Sequence, residues 1–175
     1  MVFVQRGALI FSLFAAFLAG TASAQQTINY TDGETDSNAI TITAPTNPTT
    51  LTIATGTATQ SGVVSDSGAS GSLIMSGTGT IVLTAANTYS GNTTIDFGSL
   101  EVQGAAGSIS SPNATVYVGY YTGDNGALLV ANGGQISDSG AYIGYGFFSA
   151  GQGGPDEAVV TGVNANGTPS LLPQK

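Results

Sequence analysis

Two copies of Asp-Ser-Gly are the part of this sequence closest to known catalytic chemistry. They are Asp66-Ser67-Gly68 and Asp138-Ser139-Gly140. Two loops of this kind, when they face each other, let two carboxylates share a proton and activate water, as in aspartic proteases. In those enzymes apolar residues lead into the aspartate, and Ser or Thr follows the glycine. Here a serine precedes each aspartate and an alanine follows each glycine. We therefore interpret both copies as turn sequences.

The side chains that other classes of catalysis require do not occur in this sequence. The chain has no His and no Cys, which excludes Ser-His-Asp and Cys-His catalysis and the usual zinc sites. Lys175 and Arg6 are the only basic residues, so a Ser-Lys dyad is also disfavoured. An enzyme that cleaves polysaccharide with an Asp cluster and a basic residue is the alternative that we keep. The prediction is a non-enzymatic protein with no catalytic residue.

Calcium is the one cofactor that the acidic turns could bind, because it takes carboxylate, amide and backbone oxygens. Residues 32–38 and 124–126 cluster such oxygens, and residues 153–156 partly match a calcium-binding β-roll motif. Neither of the first two segments has the spacing of an EF-hand loop. We interpret all three as solvated turns and predict no metal and no cofactor.

Two further sets of residues could serve binding or modification. Aromatic side chains crowd one zone, where they could stack on sugars or pack between strands: Tyr117, Tyr120, Tyr121, Tyr142, Tyr145, Phe147 and Phe148. Four asparagines begin Asn-x-Thr triplets, the acceptor sequence for N-glycans: Asn29, Asn92, Asn113 and Asn166. In so Thr-rich a chain we attribute these triplets to chance.

Residues 1–24 have the features of a secretory leader. Arg6 supplies a positive charge, residues 8–18 are apolar, and Ala22-Ser23-Ala24 fits a cleavage site. The apolar run is shorter than the roughly 20 residues that span a bilayer. Cleavage after Ala24 would leave an exported chain of 151 residues (175 − 24) without a membrane-spanning segment.

The charge balance narrows the choice of partners. All ten acidic residues follow Ala24 and Lys175 is the only base there, so the mature formal charge is −9 (1 − 10). Nucleic acid and anionic membranes repel such a chain. Because there is no cysteine, strand pairing and burial must stabilise the fold without disulfides.

The pattern of apolar residues predicts short strands. Apolar and Ser/Thr residues alternate in runs that contain Ile81, Leu83, Ile95, Leu100 and Val102. A period of two places these side chains on one inward face. Turn-forming sequences separate the runs at residues 87–92 and 97–99. Upstream, residues 40–43 and 51–53 have the same alternation and are predicted as separate strands, since Pro45 and Pro48 lie between them.

The stretch 77–102 resembles the autotransporter-associated β-strand repeat of bacterial type V passenger domains. The matching residues are Gly77, Thr78, Gly79, Leu83, Asn87, Thr88, Tyr89, Ser90, Gly91, Thr94, Ile95, Gly98 and Leu100. Ala85 and Ser99 stand where the family usually has Gly and Thr. The resemblance implies an exported protein, and it implies that a chain crossing the periplasm unfolded benefits from having no cysteine.

A second segment repeats internally. Val118-Gly119-Tyr120 recurs as Ile143-Gly144-Tyr145, 25 residues later, and each is followed by a Gly-rich turn and an apolar strand, at 127–130 and 158–160. This segment resembles another Gly-rich passenger repeat through Gly119, Gly126, Leu128, Val130, Gly133, Gly134, Ile136, Ile143, Gly144, Val160 and Gly162. A period near 25 with three short strands fits one turn of a parallel β-helix.

These observations predict an all-β protein, a right-handed parallel β-helix with room for about six rungs. The predicted segments are a leader (1–24), a Thr-rich β segment (25–71), the first repeat (72–103), the Gly-rich repeat (104–163) and a tail (164–175). The resemblance implies an autotransporter passenger that is truncated and lacks its C-terminal translocator barrel. We expect adhesion or display at the cell surface, the outer membrane or outside the cell, with glycans or proteins of host or neighbouring cells as partners. A fragment without independent activity is the other alternative.

Overall fold

The computed structural model of the protein describes residues 25–43, 48–68, 70–121, 123–144 and 156–162. All regular structure in these ranges is β-strand. The predicted leader and tail lie outside them, as do Tyr145, Phe147, Phe148 and Asn166. No helix of the described residues is long and apolar enough to cross a membrane.

Within the described ranges, seventeen strands, numbered in chain order, form three faces of a solenoid. The first face is a six-stranded sheet of β1 (Thr27–Tyr30), β4 (Thr49–Ile53), β7 (Leu73–Ser76), β10 (Thr93–Ile95), β13 (Thr115–Val118) and β16 (Gly140–Ile143). The second is a six-stranded sheet of β2 (Thr35–Asp36), β5 (Thr57–Gln60), β8 (Thr80–Leu83), β11 (Phe97–Gln103), β14 (Asn125–Ala131) and β17 (Glu157–Thr161). The third face is divided into a pair, β3 (Ile40–Ile42) and β6 (Val64–Asp66), and a triplet, β9 (Ala86–Asn87), β12 (Ser108–Ser110) and β15 (Gln135–Ser137).

One strand from each face makes one rung. Rungs 1 to 5 contain three strands each (β1–β3, β4–β6, β7–β9, β10–β12, β13–β15), and the described part of rung 6 contains β16 and β17. All strand pairs are parallel and join successive rungs, about 4.8 Å apart. This confirms the predicted all-β solenoid of stacked short strands, at about five turns.

The core is a column of apolar side chains that stack in register along the axis. The predicted inward residues Ile81, Leu83, Ile95, Leu100 and Val102 are all completely buried. In the second sheet the column runs Ile81, Leu100 and Leu128, and beside it Leu83, Val102 and Val130. No rung could bury these residues alone, because each covers the face of its neighbour.

The internal repeat of the second segment is confirmed in register. Val118 pairs with Ile143 on the first face, as the predicted spacing requires. On the second face Leu128 pairs with Ala158, so the same two rungs lie further apart along the chain there than on the first face. The extra residues lie in the connection from β16 to β17. Loop length therefore varies while the strands keep their alignment.

One predicted turn was wrong. The sequence predicts a turn at residues 97–99, but β11 begins at Phe97. The connection from β10 to β11 is the single residue Asp96, which lies between two strands. The chain turns so sharply because Gly98 has a φ of 68°, which a residue with a side chain rarely adopts.

Candidate functional site

The residues of the first repeat that could do chemistry converge on one corner of the solenoid, residues 87–91, which we call the Asn-Tyr-Ser corner. Asn87 follows the gap between the two parts of the third face and is completely buried. Its Oδ1 accepts a 2.8 Å hydrogen bond from the Val64 backbone N–H in the rung before. Its Nδ2 donates to the carbonyls of Ala85 and Ser108, the latter in the rung after. One side chain thus links three rungs where the backbone ladder is interrupted.

Tyr89 is the largest side chain buried at the same corner. Its ring is completely inaccessible, and its hydroxyl lies 2.6 Å from Thr93 Oγ1. The hydroxyl of Ser111, in the next rung, donates to the Tyr89 carbonyl. Burial raises the pKa of Tyr89 well above its usual value, because a phenolate would be cut off from water. The phenol therefore stays protonated, and it serves packing and hydrogen bonding.

Asp66, from the first Asp-Ser-Gly copy, anchors the corner from the rung below. Its Oδ2 accepts hydrogen bonds from both the backbone N–H and the hydroxyl of Ser90, and a third from the Gly71 N–H. Burial raises the pKa of this carboxyl, but the hydrogen bonds from Ser90 and Gly71 outweigh burial and lower the pKa below its usual value. Asp66 is thus held as an ionised acceptor.

The second copy is too far away to form a catalytic pair. Asp66 ends β6 in rung 2, and Asp138 follows β15 in rung 5. Three rung spacings of about 4.8 Å separate them by roughly 14 Å. Two carboxylates share a proton only when they are in contact. The two Asp-Ser-Gly copies therefore occupy separate turns.

The acidic residues of segment 32–38 are engaged by their own surroundings. Asp32 accepts from the Thr57 N–H of the next rung, Glu34 from the Thr31 N–H and hydroxyl, and Asp36 from the Asn38 backbone and side-chain N–H groups. No group of three or more Asp, Glu, His or Cys side chains in the described ranges is arranged to hold a metal ion. Of segment 153–156, only Asp156 is described.

A line of acidic residues occupies the corner between the first and second faces. Two of them belong to the candidate calcium segments 124–126 and 153–156, and the third, Asp96, was indicated by no sequence motif. Asp96, Asp124 and Asp156 each stand directly before a strand of the second face. Asp124 is 6% exposed and accepts a hydrogen bond from the Tyr121 N–H, while Asp156 accepts one from the Gly126 N–H. Oδ1 of Asp96 is buried without a hydrogen-bond partner. Burial, together with the nearby charge of Asp124, raises the pKa of Asp96 to about 6.

The predicted aromatic zone forms a cluster on the outer surface of the first face. Tyr117 and Tyr142 are in register on adjacent rungs, with nearly parallel rings 5.6 Å apart. Tyr120 meets the rings of Tyr117 and Tyr121 edge-on at 4.7 and 4.6 Å. Tyr121 and Tyr142 are about half exposed, so part of the cluster is open to solvent.

Asparagines of the Asn-x-Thr triplets are on the surface where they are described. Asn29, Asn92 and Asn113 are exposed. Asn92 Oδ1 accepts a hydrogen bond from the Thr115 N–H in the next rung, so it too links rungs.

The geometry is that of a parallel β-solenoid in which the motif residues hydrogen-bond one rung to the next. The profile of the passenger-associated-transport-repeat family matches residues 73–102, which include β7 to β10 and the Asn-Tyr-Ser corner. The chain therefore carries a repeat of autotransporter passenger domains, and the solenoid fits such a domain. No curated protein and no solved structure matches the chain significantly.

Proposed function

We propose that the protein is a non-enzymatic scaffold, exported as an autotransporter passenger, that presents a contact surface for adhesion or display. The observation that carries the proposal is how the motif residues are used. Asn87, Tyr89, Ser90 and Asp66, the side chains best suited to chemistry in the matched repeat and its neighbour, are all held in hydrogen bonds within the solenoid. Side chains committed in this way supply rigidity.

Export is supported by the matched repeat, whose family belongs to surface-exposed passenger domains, and by the predicted leader at residues 1–24. The charge distribution supports neutral partners. All ten acidic residues lie in the described ranges and both basic residues lie outside them. A surface of this sign repels nucleic acid and anionic lipid, which leaves uncharged glycans and proteins of host or neighbouring cells.

The tyrosine cluster is the contact surface that we propose. Aromatic rings with polar hydroxyls suit both sugar and protein partners, since one end is apolar and the other can bind water or a ligand. Tyr117 stands on β13, which is paired with β10 on one side and with β16 on the other. The ring at the centre of the cluster is therefore held in place before a partner binds, which limits the loss of conformational entropy.

The test is binding of the purified chain, residues 25–175, to glycan arrays and to intact cells, with Tyr121→Ala/Tyr142→Ala as the variant. We expect saturable binding by the wild type and at least a tenfold loss in the variant. Thr94→Ala is the matched control, because Thr94 is in register with Tyr117 on the same outer face but carries no ring.

Melting curves would establish that both variants are folded. Absence of saturable binding by the wild type would contradict the adhesive role and favour a fragment without independent activity. Release of reducing ends from polysaccharide would contradict the non-enzymatic role and favour the alternative of a polysaccharide-active enzyme.

A further inference from the structure

The corner between the first and second faces places two carboxylates side by side in a setting that offers them no counter-charge. Phe97 pairs with Asn125, so the residues that precede them, Asp96 and Asp124, are neighbours on adjacent rungs. The backbones of the two turns are joined, because the Asn125 N–H donates to the Asp96 carbonyl at 2.9 Å. The Asp96 N–H in turn donates to the Met75 carbonyl in the rung before. The backbone of Asp96 is therefore hydrogen-bonded to both neighbouring rungs, 3 and 5.

The surroundings of Asp96 destabilise its ionised carboxylate. Oδ1 is buried and accepts no hydrogen bond, which is costly for a charged oxygen. Rung 3 contributes Gly77, Thr78 and Gly79 at this corner, none of which is ionisable. Rung 5 contributes Asp124 and the phenols of Tyr120 and Tyr121, and rung 6 contributes Asp156. On β11 itself the nearest acid is Glu101. No Lys, Arg or His occurs in any described range.

We propose that this corner is an acid-responsive joint: a proton bound at Asp96 tightens the stacking of rungs 4 and 5, and loss of that proton loosens it. The proton neutralises a carboxylate whose buried oxygen accepts no hydrogen bond, and it relieves the repulsion from Asp124 across the rung boundary. Burial and that repulsion raise the pKa of Asp96 to about 6, so the joint changes state in mildly acidic solution.

The direction follows from proton linkage. An aspartate in the unfolded or opened chain has a pKa near 3.9. Between about pH 4 and pH 6 the closed corner binds a proton that the opened corner has lost. Proton binding therefore stabilises the closed corner at the acidic end of that window. This stabilisation is lost as the pH rises through about 6.

The experiment is hydrogen exchange on residues 25–175 followed by NMR from pH 4.5 to 7.5, with EDTA present so that no divalent cation replaces the proton. After correction for intrinsic exchange, we expect protection of the Asn125 amide to fall by roughly tenfold between pH 5 and pH 7. The Ser90 amide is the internal control, because its acceptor Asp66 has a lowered pKa and stays ionised over this range.

Asp96→Asn should make the protection of Asn125 independent of pH. Glu157→Gln removes the same amount of charge from an exposed position and should leave the wild-type dependence in place. A flat wild-type profile, or an unchanged slope in Asp96→Asn, would overturn the proposal. A carbon-13 titration of the Asp96 carboxyl needs no variant: a midpoint near 6 supports the joint, and one at 4 or below rules it out.

Discussion

Ser90 donates two hydrogen bonds to a single carboxylate oxygen of Asp66, which lies 24 residues earlier and one rung below. One of these bonds comes from the backbone and one from the hydroxyl, so both the path of the turn and the rotamer of Ser90 are fixed. The contact lies at the boundary where the third face changes from one sheet to the next. Asp66 therefore acts at the point where the backbone ladder gives least support.

Replacing Asp66 by Ala should lower the free energy of unfolding by about 1–2 kcal/mol at pH 7, because three donors lose their acceptor. The lowered pKa of Asp66 means that its contribution is present above about pH 4 and is lost as the pH falls further. Urea unfolding at pH 7 and pH 3 measures both effects. Ser90→Ala in the Asp66→Ala background should add little; a fully additive loss would contradict the coupling.

Asn87→Ala should destabilise the protein by about 2–4 kcal/mol. It leaves the buried Val64 N–H and two carbonyls without a side-chain partner. Asn29→Ala is the control, since Asn29 is exposed on β1, and should change stability by less than about 0.5 kcal/mol. Thermal and urea unfolding of both variants test the prediction. Similar losses in the two would show that Asn87 is not a specific link.

The pair of hydroxyls at Tyr89 and Thr93 should be energetically coupled. Tyr89→Phe removes one hydroxyl and leaves the other buried, at a cost of about 1 kcal/mol, and Thr93→Val does the same from the other side. The double variant should lose less than the sum of the two. A double-mutant cycle from urea unfolding gives the coupling energy, and a value of zero would mean that the 2.6 Å contact contributes nothing.

Substitution of two glycines distinguishes the cost of backbone strain from the cost of a steric clash. Gly98 and Gly104 both have positive φ, but a Cβ on Gly98 would lie 2.4 Å from the carbonyls of Gly77 and Gly79, while one on Gly104 meets nothing within 4 Å. Gly104→Ala should cost about 1 kcal/mol through strain alone. Gly98→Ala should cost several times more, because the stacked turn below must move. The melting temperatures of the two variants test this prediction. Equal decreases would contradict close packing at the corner of Gly98.

The core residues could be predicted from the sequence because they follow a local period of two, whereas the start of β11 at Phe97 could not. Leu83, Ile95 and Leu100 were predicted inward from their alternation alone, and they are completely buried. The role of Asn87 was not predictable in this way. A turn-like sequence indicates that the chain bends, but it does not indicate that the amide replaces a missing backbone bond in the neighbouring rung.

The pairing of Asp96 with Asp124 depends on register, which the period does not fix. Thr80 pairs with Ser99 in the next rung, whereas Phe97 pairs with Asn125, a distinctly longer step along the chain. Connections of such different lengths cannot be aligned from a single sequence by a constant repeat. The acidic line along this corner appears only when the strands are placed beside one another.

The division of the third face has a mechanical consequence. Between β6 and β9 the boundary of rungs 2 and 3 is held by regular strand pairing on two faces. On the third it is held by side chains and by two backbone bonds, from Thr88 to Val64 and from Gly91 to Gly71. Under tension along the axis, a side-chain link yields more readily than a continuous ladder, since a rotamer change releases it. We expect a molecule stretched along its axis to separate first between rungs 2 and 3. The hydrogen bonds of Asn87 and Ser90 would then set the mechanical resistance of the solenoid.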